Sequence, residues 1–144
     1  MSATPTDLKT LLYRDEGKVR HVYKDSLGFD TIGAGRLVDK RKGGGLSDVE
    51  IDYLLDNDIA AKRAEVYAAL PWVAQLDAVR EAVLLSMAFQ MGTEGLLEFV
   101  RTLAAVRYGK YDDAAVFMLE SKWSEQTPER AGRMAEMMKS GEWR

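Results

Sequence analysis

The run from Val79 to Met91 constrains this chain more than any other segment. Val79, Ala82, Val83, Leu84, Leu85, Met87, Ala88, Phe89 and Met91 leave almost no polar face. Asp77 precedes the run as a cap, and Gly92 closes it as a stop. A helix that is apolar all round is a buried one, so further helices must wrap it. The pattern predicts them at about 95–107, 111–121 and 128–140. Met134, Met137 and Met138 fall at i, i+3 and i+4 and read as core filler rather than a binding surface. The run is broken by Ser86 and Gln90 and is far too short to span a bilayer.

The N-terminal part has a different texture. Thr4, Thr6 and Asp7 offer caps and Pro5 suits a first turn, so a helix is expected from about 6 to about 16. Glu16 lies at its end and Gly17 is its stop. Val19, His21 and Tyr23 then alternate with Arg20, Val22 and Lys24. Asp25-Ser26-Leu27-Gly28 is a turn signal, and Phe29, Thr31 and Ile32 resume a strand pattern. Gly33 and Gly35 suggest tight bends. These signs predict a small antiparallel hairpin with a short third strand through Arg36-Leu37-Val38. Lys40-Arg41-Lys42 and Gly43-Gly44-Gly45 read as a solvated, flexible loop. Ser47-Asp48-Val49-Glu50 is a capping box. Val49, Tyr53, Leu54, Ile59 and Val66 form an amphipathic stripe behind it, so a long helix is expected over about 48–68. Leu70-Pro71-Trp72 breaks it.

The fold class expected is α+β, mostly α, as one domain over residues 1–144. A small hairpin lobe at about 17–50 is joined by the helix at about 48–68 to an all-helical lobe at about 70–144, which also takes in the N-terminal helix. A cleft between the lobes is the expected ligand site.

Composition narrows the chemistry. At 144 residues, 47% of them hydrophobic, the chain can bury a core without a staple. The absence of Cys excludes a disulfide scaffold, a thiolate zinc site and a cysteine nucleophile. The single histidine, His21, argues against multi-histidine metal sites and against a Ser-His-Asp triad. No metal or cofactor is suggested. The net charge of −3 is unevenly spread: nine basic and six acidic residues over 1–45, six and thirteen over 46–121. No basic face dominates, so no nucleic-acid partner is expected. The start has no basic n-region followed by an apolar stretch, so neither a signal peptide nor a transmembrane segment is expected, and synthesis in the cytosol is.

Carboxylates remain. Glu16 ends a helix, Asp25 follows nine residues later at the hairpin turn, and Thr31 six further on the returning strand. Glycoside hydrolysis needs one carboxylic acid to protonate the leaving oxygen and one carboxylate on the other side of the sugar ring. A hydroxyl can hold a water by accepting and donating hydrogen bonds. Each residue also has a plainer role open to it: a helix-end surface group, a turn former, a β-branched strand residue.

Asp15-Glu16-Gly17, Tyr23-Lys24-Asp25, Gly28 and Thr31-Ile32-Gly33-Ala34-Gly35 resemble the catalytic signature of the phage lysozymes, the muramidases of the T-even type. That signature is Glu, eight residues, Asp or Cys, five residues, Thr. The resemblance continues through Leu76-Asp77-Ala78-Val79-Arg80, Phe89-Gln90-Met91-Gly92, Ala114-Ala115-Val116, Trp123, Gln126-Thr127-Pro128, Arg130-Ala131, Gly141 and Trp143. It implies a lysozyme-like fold and hydrolysis of the β-1,4 link between N-acetylmuramic acid and N-acetylglucosamine in peptidoglycan, for host cell lysis by a phage. By the same resemblance Glu16 is the general acid, Asp25 the second carboxylate, and Thr31 helps place the attacking water. Inversion at the anomeric carbon would need the two carboxyl groups about 6.5–9.5 Å apart. Leu37, Phe89, Gln90 and Arg130 are the implied substrate contacts, with Arg130 also reaching the catalytic glutamate. Gln90 could instead be a polar residue satisfied in the helical core, and Phe89 could be core or cleft wall. Trp123 and Trp143 match positions that read as packing. The resemblance further implies a monomer held in the host cytoplasm until a holin opens the way to the periplasm and cell wall.

Three departures stand out. Arg36 occupies the place where the family often has His, so a permanent cation replaces a titrating one. The chain is acidic where the best-known relatives are basic, which weakens long-range attraction to an anionic wall. It is also shorter, chiefly between Val38 and Leu46 and near Leu70. Two other readings compete. A lytic transglycosylase needs no water-placing carboxylate, so Asp25 and Thr31 argue against it. A non-catalytic wall-binding protein of the same fold would have no use for the Glu16, Asp25 and Thr31 set.

Overall fold

In the computed structural model, which describes residues 4–144, the chain divides into two units, one up to Leu54 and one from Leu55 to Arg144. The first opens with helix α1 (Leu8–Glu16). Asp7 caps it by accepting a hydrogen bond from the Thr10 amide at 2.7 Å. Gly17 ends it at φ 85°, a conformation glycine adopts without strain. Strands β1 (Val19–Lys24), β2 (Asp30–Gly33) and β3 (Arg36–Leu37) form an antiparallel sheet in that order. Tyr23 lies opposite Thr31, and Thr31 opposite Leu37. Lys24 and Asp30, also paired in the ladder, join by an ion pair of 2.6 Å. The hairpin and short third strand are as expected.

The basic triplet is more ordered than a flexible loop. Lys40–Lys42 forms a turn of 3₁₀ helix, whose start Asp39 caps by accepting from the Arg41 amide at 2.9 Å. The amides of Gly44 and Gly45 then donate to the carbonyls of Asp39 and Leu37. Glycines here are a fold requirement, because a Cβ on Gly44 would collide with Leu37.

Helix α2 (Asp48–Ala69) starts on the expected capping box: the Glu50 amide donates to Ser47 Oγ, and the Ser47 amide to Glu50 Oε1. Its apolar stripe is not buried as expected. Val49 and Tyr53 are 79% and 72% exposed, and only Val66 is fully covered. Val66 belongs to the apolar core of the second unit, and the first half of α2 lies outside that core. Amphipathic spacing permits burial; it does not supply a partner.

The second unit holds a 3₁₀ turn (Pro71–Gln75) and helices α3 (Ala78–Leu97), α4 (Val100–Arg107), α5 (Tyr111–Leu119), α6 (Lys122–Gln126) and α7 (Pro128–Ser140). Val83, Leu84, Met87 and Ala88 of α3 are fully buried, as the apolar run requires. Gly92 does not end α3. It bends the helix, at φ 81° and ψ 160°, and α3 resumes to Leu97. The helix expected at 95–107 is therefore split at Glu98–Phe99. The one expected at 111–121 stops at Leu119, and Ser121 caps the unforeseen α6 by accepting from the Ser124 amide. Met137 and Met138 are buried and Met134 packs against the core. Trp123 is buried, but Trp143 is 64% exposed, so it is not the packing residue expected; it follows the Gly141 turn that closes α7. Among the described residues no single helix is long and apolar enough to cross a membrane.

Candidate active site

The hairpin turn is built by Asp25. Its Oδ1 accepts from the amides of Leu27 at 2.9 Å and Phe29 at 2.8 Å, and its own amide donates to the Phe29 carbonyl at 2.9 Å. This is the local turn chemistry that makes Asp common at such places. Among the described residues Oδ2 has no partner. Asp25 therefore fills its plain role with one oxygen and keeps the other.

Thr31 is 2% exposed, and its hydroxyl donates to the same Phe29 carbonyl at 3.0 Å. With the proton spent there, Oγ1 can only accept from a further group. Asp25 and Thr31 are thus tied through the main-chain groups of one residue, Phe29. The sequence did not single out Phe29; its position four residues after the turn-forming Asp25 was the available signal.

Glu16 ends α1 and is exposed. No hydrogen bond or ion pair holds its carboxyl among the described residues. Its close neighbour is Gly35, in the turn between β2 and β3. A Cβ built on Gly35 would fall 2.8 Å from Glu16 Oε2. Glu16 therefore lies against the sheet that carries Thr31 on β2 and Leu37 on β3. Leu37 is half-buried and shares a concavity of about 440 Å³ with Phe29, Lys24 and Arg41.

Arg36, next to Gly35, finds its acid in Glu50. Nη1 stands 2.6 Å from Glu50 Oε1 and 3.0 Å from the Gly45 carbonyl. This guanidinium, followed by the Ser47 amide and hydroxyl, holds the Glu50 carboxyl down at about 2. The pair locks β3 to the start of α2.

The other implied substrate contacts lie in the second unit. Gln90 is exposed, not sunk in the core, and its Oε1 accepts from the Trp123 indole N–H at 2.9 Å. The assigned orientation leaves its amide hydrogens free to donate. Phe89 is 40% exposed. Arg130 is half-buried, and its Nη2 donates to Ser86 Oγ at 2.9 Å and to the Ser86 carbonyl at 3.3 Å. Phe89, Arg130 and Ser86 line one groove with Leu85 and Trp143. Among the described residues no three His, Asp or Glu side chains gather as a metal would need.

A family model described as phage lysozyme matches residues 14–137. The chain is 28% identical over 162 residues to a probable T4-type lysozyme 1 of Dictyostelium discoideum, covering 94% of this chain and 95% of that one. A probable T4-type lysozyme 2 of the same organism matches with the same identity and coverage. The pre-baseplate central spike protein Gp5 of Enterobacteria phage T4 is 28% identical over 173 residues, covering 98% of this chain and 30% of that protein.

Proposed function

The chain belongs to the phage lysozyme family of peptidoglycan-cleaving glycoside hydrolases, and on that footing we propose that it hydrolyses the β-1,4 bond between N-acetylmuramic acid and N-acetylglucosamine. Glu16 donates its proton to the leaving oxygen. Asp25 Oδ2 and Thr31 Oγ1 both accept from one water, a lone pair of which attacks the anomeric carbon from the other side of the ring as one of its protons passes to Asp25 Oδ2 and the bond to the protonated leaving oxygen breaks. The observation that carries this reading is the shared main chain of Phe29. It spends Asp25 Oδ1 and the Thr31 proton, and so leaves two acceptors and no competing donor for the water. An exposed Glu16 suits an acid that bound glycan covers during the reaction.

Leu37, Phe89, Gln90 and Arg130 are the proposed substrate contacts. With its carbonyl held by the Trp123 indole, Gln90 keeps both amide hydrogens to donate, which suits the carbonyl of a substrate amide. In this reading the enzyme acts as a monomer in phage-driven lysis and depends on a holin to reach the wall.

The test is clearing of cell-wall suspensions by wild type and Glu16→Gln, with mass analysis of the products. Glu16→Gln should lose about 10²–10⁴ of the rate, the usual contribution of a general acid. Reducing-end muramic acid is the expected product. Equal clearing by the two proteins would favour the non-catalytic reading, and 1,6-anhydro ends would favour the transglycosylase.

A further inference from the structure

Glu16 has a flexible side chain and stands exposed at the end of its helix, and its carboxyl has no hydrogen bond or ion pair among the described residues. Such a side chain samples several rotamers in the absence of a restraint. Yet a catalytic acid has to be held to within a fraction of an ångström. The restraint available is the main chain of the β2–β3 turn. Gly35 sits at φ 80°, and a Cβ there would meet Glu16 Oε2 at 2.8 Å, Cδ at 3.1 Å and Cγ at 3.3 Å. Three successive atoms of Glu16 therefore lie along the bare face of Gly35. That face is itself fixed, because the next residue, Arg36, is tied to Gly45 and Glu50.

We infer that Gly35 is a positioning residue for Glu16: its missing side chain makes a flat backstop that sets where the carboxyl points. The inference rests on the reading of Glu16 as the acid and adds how the acid is aimed. Adding one methyl displaces the far end of a flexible side chain, which costs the fold little. The same displacement moves the reacting group, which costs the reaction much. Stability and turnover should therefore respond differently to the same substitution.

Gly33 provides a matched control. It lies in the same strand-turn segment at φ 71°, so a methyl there meets the same backbone strain, but its Cβ would find nothing within 4 Å. Gly33→Ala and Gly35→Ala should lose similar melting temperature. Assayed on soluble glycan strands and corrected for the folded fraction, Gly33→Ala should keep kcat within about threefold, whereas Gly35→Ala should lose about 10²-fold in kcat, the typical effect of a 1 Å misplacement. KM should stay within about threefold in both, since glycan contacts elsewhere are untouched. Equal kcat losses in the two variants would overturn the inference alone. An active Glu16→Gln protein would remove the inference together with the reading beneath it. If Gly35→Ala fails to fold, the contact is still tested in the wild type. Cross-peaks between Gly35 Hα and Glu16 Hγ in a nuclear Overhauser spectrum of selectively labelled protein are expected, and their absence would overturn the backstop.

Discussion

The two units are held together by different means. Every buried apolar side chain among the described residues lies at Val66 or beyond, twenty of them in one cluster around α3. The first unit has Thr31 as its buried side chain among those described, and it is polar. Its shape comes from directional contacts: the Asp7 cap, the Asp25 turn, the Ser47 and Glu50 box, the Arg36 lock. All three proposed reacting groups are there. Apolar burial is non-directional and tolerates small shifts, whereas a hydrogen-bonded turn fixes an oxygen to a few tenths of an ångström. Stability and aim are thus supplied by separate parts of one chain.

Truncating the core should produce the largest change. Leu84 is fully buried in α3, and Leu84→Ala should cost about 2–5 kcal/mol in denaturant unfolding. A cost below about 1 kcal/mol would mean that stability does not reside there. In the first unit, Asp25→Ala strips the acceptor from two amides and should cost about 1–3 kcal/mol, with faster hydrogen exchange at Leu27 and Phe29. Asp25→Asn keeps an acceptor oxygen and should preserve that protection while still losing activity. If both variants keep activity, Asp25 is a turn former only.

Ser47→Ala removes the cap of α2 and should cost about 0.5–2 kcal/mol, read by the same unfolding curve. The smallest effect concerns acid. Glu50 is held at about 2 when folded, against an ordinary 4.5. Its lowered value means that its contribution is complete above about 4.5 and drains away as pH falls towards about 2. The pair is exposed, so the effect is small and screened by salt. Hydrogen exchange at β3 as a function of pH should show it, and Glu50→Gln should remove that pH dependence.

Legibility in the sequence followed the same divide. The apolar run, the capping box and the hairpin turn could be read because each is a local pattern with a local cause. Gly92 was misread because a left-handed glycine ends a helix only if the following residues do not resume it, and here Thr93–Leu97 do. The stripe on α2 misled because burial depends on what lies opposite, which spacing does not encode. Within the site, Glu16, Asp25 and Thr31 stood out by residue type and interval. Phe29 read only as a strand residue and Gly35 only as a bend in the signature, because one acts through its main chain and the other through the side chain it lacks. Ser86, the anchor of Arg130, is 44 residues away in sequence and left no local mark.

Phe29 carries a consequence for how such a protein drifts over generations. What joins Asp25 to Thr31 at this position is an N–H and a C=O, which nineteen of the twenty amino acids provide identically. The link itself therefore does not depend on which of those nineteen side chains residue 29 carries. Proline alone, lacking the N–H, would sever the bond to Asp25 while leaving both reacting side chains in the sequence.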